Sequence, residues 1–137
     1  MTNLNIKIES LVLSNDIIQP NDIIRICVTT LPDDQTQAYN VGFQKIEEDH
    51  HQFSFEVSKL TKKLIVIIRK KSHSKKDPII ASTIIHSDKF LKSSDDKSNI
   101  NTQNILLYEP FPKDLHNQNS ILENRKILGN IDLRFSI

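Results

Sequence analysis

The sequence has few of the residues from which redox, phosphate-binding and many catalytic sites are built. Its 137 residues include one cysteine, two glycines, one methionine and no tryptophan. A single cysteine, Cys27, excludes an internal disulfide, and its place in the apolar segment 23–28 predicts a buried, unreactive thiol. Because the glycines stand alone at positions 42 and 129, no glycine-rich phosphate loop is present.

Long hydrophobic runs are also missing. The longest, Leu64–Ile68, is far shorter than the roughly 20 apolar residues of a membrane-spanning helix. The first residues alternate apolar with polar, so we expect no signal peptide, and no Asn-x-Ser/Thr sequon occurs. We therefore expect a cytoplasmic protein that has no transmembrane segment.

Charge of one sign is not in excess either. The 18 basic and 17 acidic residues leave a net charge of +1, which gives no overall attraction to nucleic acid or to a membrane. Nucleic-acid binding is not expected, because the basic residues are not interleaved with aromatic ones. Any electrostatic function must come from charges that cluster locally.

Familiar catalytic motifs are absent. The sequence contains neither Gly-x-Ser-x-Gly nor His-Glu-x-x-His. The pair His50–His51 follows three acidic residues, but consecutive side chains point in different directions and do not converge on one ion. We therefore predict a non-catalytic protein with no cofactor.

Alternation of apolar and polar residues with period two is the dominant positive pattern, and isoleucine carries much of it. Turn-forming residues separate the segments, which is typical of an antiparallel sandwich or barrel. The sequence predicts an all-β fold, an eight-stranded antiparallel β-sandwich that forms a single domain over 1–137. The predicted strands are 4–9, 24–29, 38–46, 52–57, 64–69, 79–86, 103–108 and 129–137.

Three segments have more specific expectations. The continuous apolar run 64–69 predicts a strand that is central in its sheet or buried on both faces. The polar segment 87–101 predicts an insert loop. The segment 115–128 has some helical character, and its Asn-rich centre leaves a short helical turn and an irregular loop equally open.

Four segments resemble, in order, parts of the C2 domain, and together they span nearly the whole chain. Leu4-Asn-Ile-Lys-Ile-Glu-Ser-Leu11 resembles its opening strand, and Asn21-Asp22 stands where the family places an Asp before its second strand. Leu64-Ile-Val-Ile-Ile68, followed by a charged loop and Asp77-Pro-Ile-Ile-Ala81, resembles the sixth and seventh strands. Gly129-Asn-Ile-Asp-Leu-Arg-Phe135 resembles the closing strand. The resemblance implies a C2-like sandwich.

The resemblance also implies where calcium would bind, because many C2 domains hold the ion with aspartates from loops at one end. Asp16 and Asp22 match the first-loop carboxylates and Asp77 keeps one in the later loop, but two further positions fall on Arg69 and Lys71. Calcium takes 6–8 oxygen ligands, several of them anionic, so cations at these positions would repel it. We therefore predict a degenerate site without metal, in which Arg69 or Lys71 bonds the aspartates.

A basic loop remains as the candidate binding site. Its cations have no acidic neighbour before Asp77, and each would contribute roughly 1 kcal/mol beside an anionic lipid surface. Ile17 and Ile18 in the first loop could supply an apolar tip that enters the membrane, although two isoleucines in a loop are at least as often packed beneath it. Solvated lysines that protect a sheet edge would give the same pattern. The candidate lipid-binding cations are Arg69, Lys70, Lys71, Lys75 and Lys76.

Two functions follow and both stay open at this point. The first is weak, peripheral, calcium-independent contact with an anionic phospholipid membrane. The second is a protein-interaction scaffold on the same fold with no lipid role, for which the polar segments 87–101 and 117–124 are candidate partner surfaces. The oligomeric state does not follow from the sequence.

Overall fold

Each segment with alternating apolar residues forms a β-strand, because an extended chain directs successive side chains to opposite faces of a sheet. The computed structural model describes residues 2–72, 76–90, 100–110 and 125–137. Two short 3₁₀ turns, Phe43–Lys45 and Ser87–Lys89, accompany the strands. The strands are β1 (Thr2–Leu13), β2 (Ile23–Leu31), β3 (Thr36–Gly42), β4 (Gln52–Val57), β5 (Lys63–Lys70), β6 (Ile79–His86), β7 (Ile100–Tyr108) and β8 (Ile127–Ser136).

The strands pair in the order β3-β2-β5-β6-β7-β8-β1-β4, and every pairing is antiparallel. Between β6 and β7 the pairing in the described residues is a single residue pair, Ser82 with Tyr108. The chain therefore forms two four-stranded halves that face each other. This confirms the predicted eight-stranded antiparallel sandwich.

The core lies between the two halves, where apolar side chains from all eight strands form one cluster. Strand β5 lies between β2 and β6, and its inward residues Leu64, Val66 and Ile68 are at most 1% exposed. Its outward residues Ile65 and Ile67 are half-buried. The run 64–69 is therefore a central strand, as predicted, with one face fully buried.

The edge strands β3 and β4 are linked by glutamine side chains. Gln35 Nε2 donates to the Glu56 carbonyl at 2.6 Å. The Gln37 amide accepts the Ser54 N–H at 3.1 Å and donates to the Ser54 carbonyl. Gln37 thus makes both hydrogen bonds that a residue of a neighbouring strand would make, and it satisfies backbone groups at an edge that would otherwise be open to a passing strand.

Arg125 links the strands at the opposite seam, where β6 and β7 diverge. Its Nε donates to the Glu109 carbonyl at 2.8 Å, and Nη2 donates to Ser82 Oγ at 2.6 Å. The guanidinium carbon lies 5.4 Å from the centre of the Tyr108 ring, a distance typical of a cation–π contact. The side chain therefore connects β6 with the end of β7 at the point where their backbone pairing stops.

Three local expectations need adjustment. The predicted insert 87–101 is shorter, because Phe90 is 1% exposed and contacts Phe135, and β7 already begins at Ile100; residues 91–99 lie outside the described part. The segment 115–128 ends in β8, and its residues up to 124 also lie outside the described part. Cys27 is half-buried rather than buried, because its side chain lies on the outward face of β2.

The two glycines offer a matched test of how closely the strands approach. A Cβ on Gly129 would lie 1.9 Å from the Val12 carbonyl oxygen, a backbone atom of β1 that cannot move without disturbing the β1–β8 pairing. Gly129→Ala is expected to lower the free energy of unfolding by about 3 kcal/mol or more. Chemical denaturation measures this change.

Gly42→Ala is the control for that experiment. A Cβ there would meet nothing nearer than 3.9 Å, and the residue has φ −65°, which alanine adopts readily. Its effect on stability is expected to stay within about 1 kcal/mol. Similar losses of stability in both variants would show that the close contact at Gly129 is not the cause.

Candidate functional site

Two loops meet at one end of the sandwich because β2 and β5 are antiparallel neighbours. The pair Ile24–Lys70 places the start of β2 beside the end of β5, so the loop 14–22 lies next to residues 71–72 and 76–78 that follow β5. The Lys71 N–H donates to the Ile23 carbonyl at 2.8 Å and extends this contact beyond the strands. The residues that the sequence singled out therefore lie in neighbouring loops.

Asp77 organises the later loop. Its Oδ2 accepts a hydrogen bond from Lys71 Nζ at 2.9 Å, and its Oδ1 accepts the Ser72 N–H at 2.9 Å. The Asp77 carbonyl accepts a hydrogen bond from the Arg69 guanidinium at 2.9 Å. The Lys71 ammonium, helped by the Ser72 N–H, holds the pKa of Asp77 below its usual range. Of the three aspartates that the prediction joined to Arg69 or Lys71, only Asp77 is bonded in this way, by Lys71, and the pair lies within the later loop.

Asp22 is held by a second lysine. Its Oδ2 accepts the Gln19 N–H at 2.8 Å and lies 3.3 Å from Lys70 Nζ. The hydrogen bond from Gln19 and the nearby Lys70 ammonium lower the pKa of Asp22. Because Asp22 precedes β2 and Lys70 ends β5, this pair ties the first loop to the central strand. Sequence reasoning did not find it, since the cross-strand register that brings the two residues together is a tertiary feature.

Asp16 bonds a neighbouring residue of the first loop. Its Oδ1 accepts a hydrogen bond from the Ser14 hydroxyl, and that bond is the main cause of its lowered pKa. In the described ranges, no group of three Asp, Glu, His or Cys side chains is close enough to hold a metal ion. The three aspartates that the sequence analysis matched to calcium positions therefore have separate partners in this chain.

Ile17 and Ile18 do not form an exposed apolar tip, and this part of the prediction is wrong. Ile18 is 3% exposed and belongs to the core, while Ile17 packs against it. The Ile17 N–H donates to the Ser14 carbonyl, so a turn redirects the chain there. Burying an isoleucine stabilises a fold by about 2 kcal/mol, which favours placing both beneath the loop. Ile23, at the start of β2, is instead 51% exposed.

A basic groove lies on the outward face of the sheet, next to the later loop. Arg25 of β2 is directly opposite Arg69 of β5. The Arg25 guanidinium forms no hydrogen bond or ion pair with any residue that the structure describes, although its charge reaches Asp77. The groove encloses about 640 Å³. It is lined by Arg25, Arg69, Lys71, Lys76, Asp77, Pro78, Ile79 and Pro110.

The positive charge is therefore distributed differently from the sequence prediction. Lys70 and Lys71 are each paired with an aspartate, and Lys75 lies outside the described residues. Arg25 adds a cation that sequence reasoning missed, because its alternation with Ile24 and Ile26 is typical of any outward-facing strand residue. Like charges directly opposite each other in a sheet repel, so an anion between Arg25 and Arg69 would relieve an unfavourable contact.

Comparison with known proteins identifies the fold. No protein-family model and no curated protein sequence matches the chain. A C2 domain of plant extended synaptotagmin 1 matches in structure with a TM-score of 0.62 at 10% identity, over 97% of this chain and 91% of that one. A CC2D1B structure matches with a TM-score of 0.60 at 8% identity, over 99% of this chain and 55% of that one.

The chain thus has a C2-like fold, as its strand order and segment resemblance indicated. At these identities the likeness establishes the fold alone. Within the described residues, no helix is long and apolar enough to cross a membrane.

The Lys71–Asp77 pair can be tested by titration. Lys71→Ala is expected to raise the pKa of Asp77 toward the ordinary aspartate value, because the largest cause of its lowering is removed. Since the pKa is depressed in the folded state, the pair stabilises the fold above the unfolded pKa of aspartate, and this stabilisation disappears as the pH falls through the folded pKa. The carboxyl carbon shift followed by NMR reports the titration.

Lys62→Ala is the matched control for this titration, because Lys62 lies just before β5 at the opposite end of the sandwich. It removes the same charge and is expected to leave the pKa of Asp77 in place. An unchanged pKa of Asp77 in Lys71→Ala would mean that the ion pair does not form in solution.

Proposed function

We propose that this C2-like module, acting over residues 1–137, makes weak, reversible and calcium-independent contact with anionic phospholipid surfaces. The contact surface is formed by the cations of the basic groove, together with Lys70 and Lys75 of the predicted basic loop. The observation that carries the proposal is the Arg25–Arg69 pair, two cations held side by side on adjacent strands at the loop end. Anionic lipids are concentrated in the cytoplasmic leaflet, so the proposed location is cytoplasmic and peripheral to the membrane.

The charge of the groove sets the strength of the contact. Four cations and one aspartate line it, and each cation near an anionic surface contributes roughly 1 kcal/mol. The pairing of Lys71 with Asp77 and screening by salt both reduce that sum. Because Ile17 and Ile18 are not exposed, deep insertion of the first loop is not part of the proposal. The contact is expected to be weak and to depend strongly on ionic strength.

Calcium independence is supported by the partners of the aspartates. Asp77 already accepts hydrogen bonds from Lys71 and from a backbone N–H, and Asp22 already pairs with Lys70. A calcium ion would have to displace both ammonium groups while Arg69 and Arg25 remained nearby. The repulsion from these cations acts against the binding of a divalent ion.

Arg25→Glu tests the groove with little effect on the fold, because the side chain is exposed and bonds to no described residue. We expect its binding to phosphatidylserine-containing vesicles to fall roughly tenfold or more, since the charge at this position changes by two units, from +1 to −1. Co-sedimentation at low salt, with phosphatidylcholine vesicles as the blank, measures this.

Lys59→Glu is the matched control for Arg25→Glu. It makes the same change of charge at an exposed position in the turn between β4 and β5, at the other end of the sandwich. It is expected to bind vesicles like the unaltered protein. Equal losses of binding in both variants would indicate attraction by overall charge alone, and full binding by Arg25→Glu would remove the groove from the proposal.

The proposed calcium independence has its own test. Vesicle binding by the unaltered protein is expected to be the same with calcium as with a calcium chelator, and calorimetric titration of calcium into the protein is expected to give no binding heat. Asp77→Asn serves as the comparison, because it removes a carboxylate that any calcium site here would need. Tight calcium uptake that Asp77→Asn abolishes would contradict the proposal.

A protein-interaction role remains the second candidate, and a different surface favours it. Val12 and Leu106 are 55% and 42% exposed, and they flank Asn130 on the outward face of β1, β8 and β7. Val12→Asp would disrupt a protein contact at this surface without changing the basic groove. Vesicle binding that is lost in Arg25→Glu and kept in Val12→Asp would favour the lipid role.

A further inference from the structure

Ser72 lies just after the end of β5, at the margin of the basic groove. Its N–H donates to Asp77 Oδ1 at 2.9 Å, and its neighbour Lys71 bonds the other oxygen of the same carboxylate. The residue itself is exposed. Ser72 is therefore a neighbour of Lys71 and Asp77, two charged residues that line the groove of the proposed lipid contact.

The residues before Ser72 match what one class of protein kinase recognises. Arg69, Lys70 and Lys71 occupy the three positions immediately preceding the serine. Basophilic serine/threonine kinases recognise their substrates by the charge pattern around the serine, and the pattern they select is basic side chains shortly before it. The chain as a whole has a net charge of only +1, so three consecutive basic residues are a local feature and do not reflect a generally basic sequence.

We propose that Ser72 is a phosphorylation site for a basophilic serine/threonine kinase and that phosphate at this position weakens the lipid contact. The regulatory part rests on the proposed function, whereas the site itself rests on the exposure of Ser72 and on the three cations before it, whose side chains a kinase would have to take from Asp22 and Asp77. The chemistry is an ordinary phosphoryl transfer from ATP. The Ser72 Oγ–phosphorus bond forms, the bond from the γ-phosphorus to the β–γ bridging oxygen breaks, the hydroxyl proton passes to a kinase carboxylate, and ADP leaves.

The consequence follows from charge. A phosphoserine carries about −1.5 to −2 charges at neutral pH and three strong acceptor oxygens. At Ser72 it stands next to the Asp77 carboxylate and competes with it for Lys71, which leaves fewer uncompensated cations to face a membrane. The change in charge is comparable to that of reversing one lysine. Vesicle affinity is expected to fall roughly tenfold.

The experiment uses the full chain, ATP and the catalytic subunit of a cyclic-AMP-dependent kinase as the basophilic probe. Intact mass and fragment mass spectra are expected to place one phosphate on Ser72. Incorporation at this site is expected to be abolished in Ser72→Ala and kept in Ser74→Ala, a control that changes a second serine of the same segment. Co-sedimentation with phosphatidylserine vesicles then compares phosphorylated protein, unmodified protein and unmodified Ser72→Ala.

The outcomes separate the site, the switch and the proposed function. Phosphate on Ser72 together with a roughly tenfold loss of binding supports the proposal, provided that unmodified Ser72→Ala binds like the unaltered protein. No phosphate at Ser72 under conditions that modify a control peptide overturns the site. Phosphate on Ser72 with unchanged binding overturns the switch alone. Failure of the unmodified protein to bind vesicles overturns the lipid function, and the switch with it.

Discussion

The ion pair between Asp77 and Lys71 is the interaction on which the loop end of the sandwich depends. A carboxylate that bonds a lysine ammonium in this way is not available to a calcium ion. One oxygen of the carboxylate bonds Lys71 and the other accepts the Ser72 N–H, so Asp77 connects to the residues that directly follow β5. The same loop turn presents the Asp77 carbonyl to the Arg69 guanidinium, which is thereby held on the outward face of the sheet. The basic groove thus depends on an aspartate that the resemblance in the sequence matched to a calcium position.

The strands supply the rigidity that the charges need. Arg25 and Arg69 are neighbours because β2 and β5 pair through eight residue pairs at the centre of one half of the sandwich. A mobile chain would separate two like charges, whereas the β2–β5 ladder and the core beneath it keep them together. The repulsion is tolerated because burial of Ile24, Ile26 and Ile68 on the opposite face of these strands fixes the register. In the proposed contact, an anion between Arg25 and Arg69 would relieve this repulsion without any change in the sheet.

The fold could be predicted from the sequence because alternation is a local property, and all eight predicted segments overlap observed strands. The Lys71–Asp77 pair was also predictable, since both residues belong to one short loop. Arg25, the Asp22–Lys70 pair and the Gln37 contact with β4 were not, because each depends on which distant strands lie side by side. Ile17 and Ile18 were misplaced because sequence alone does not tell whether a loop folds over the core or away from it.

A near-neutral protein with a locally basic groove is suited to reversible contact. Overall charge gives no long-range attraction at +1, so in the proposed contact the attraction would come from the cations of the basic groove, where Arg25 and Arg69 lie side by side. The binding free energy of such a contact amounts to about a few kcal/mol. Each loss of about 1.4 kcal/mol from it lowers the affinity tenfold. A groove of this size is consequently sensitive to one or two charges, in contrast to a calcium-dependent C2 domain, in which a bound ion supplies much of the positive charge. Here the positive charge belongs to the side chains. Covalent modification of the chain can change that charge, and salt in the solvent can screen it.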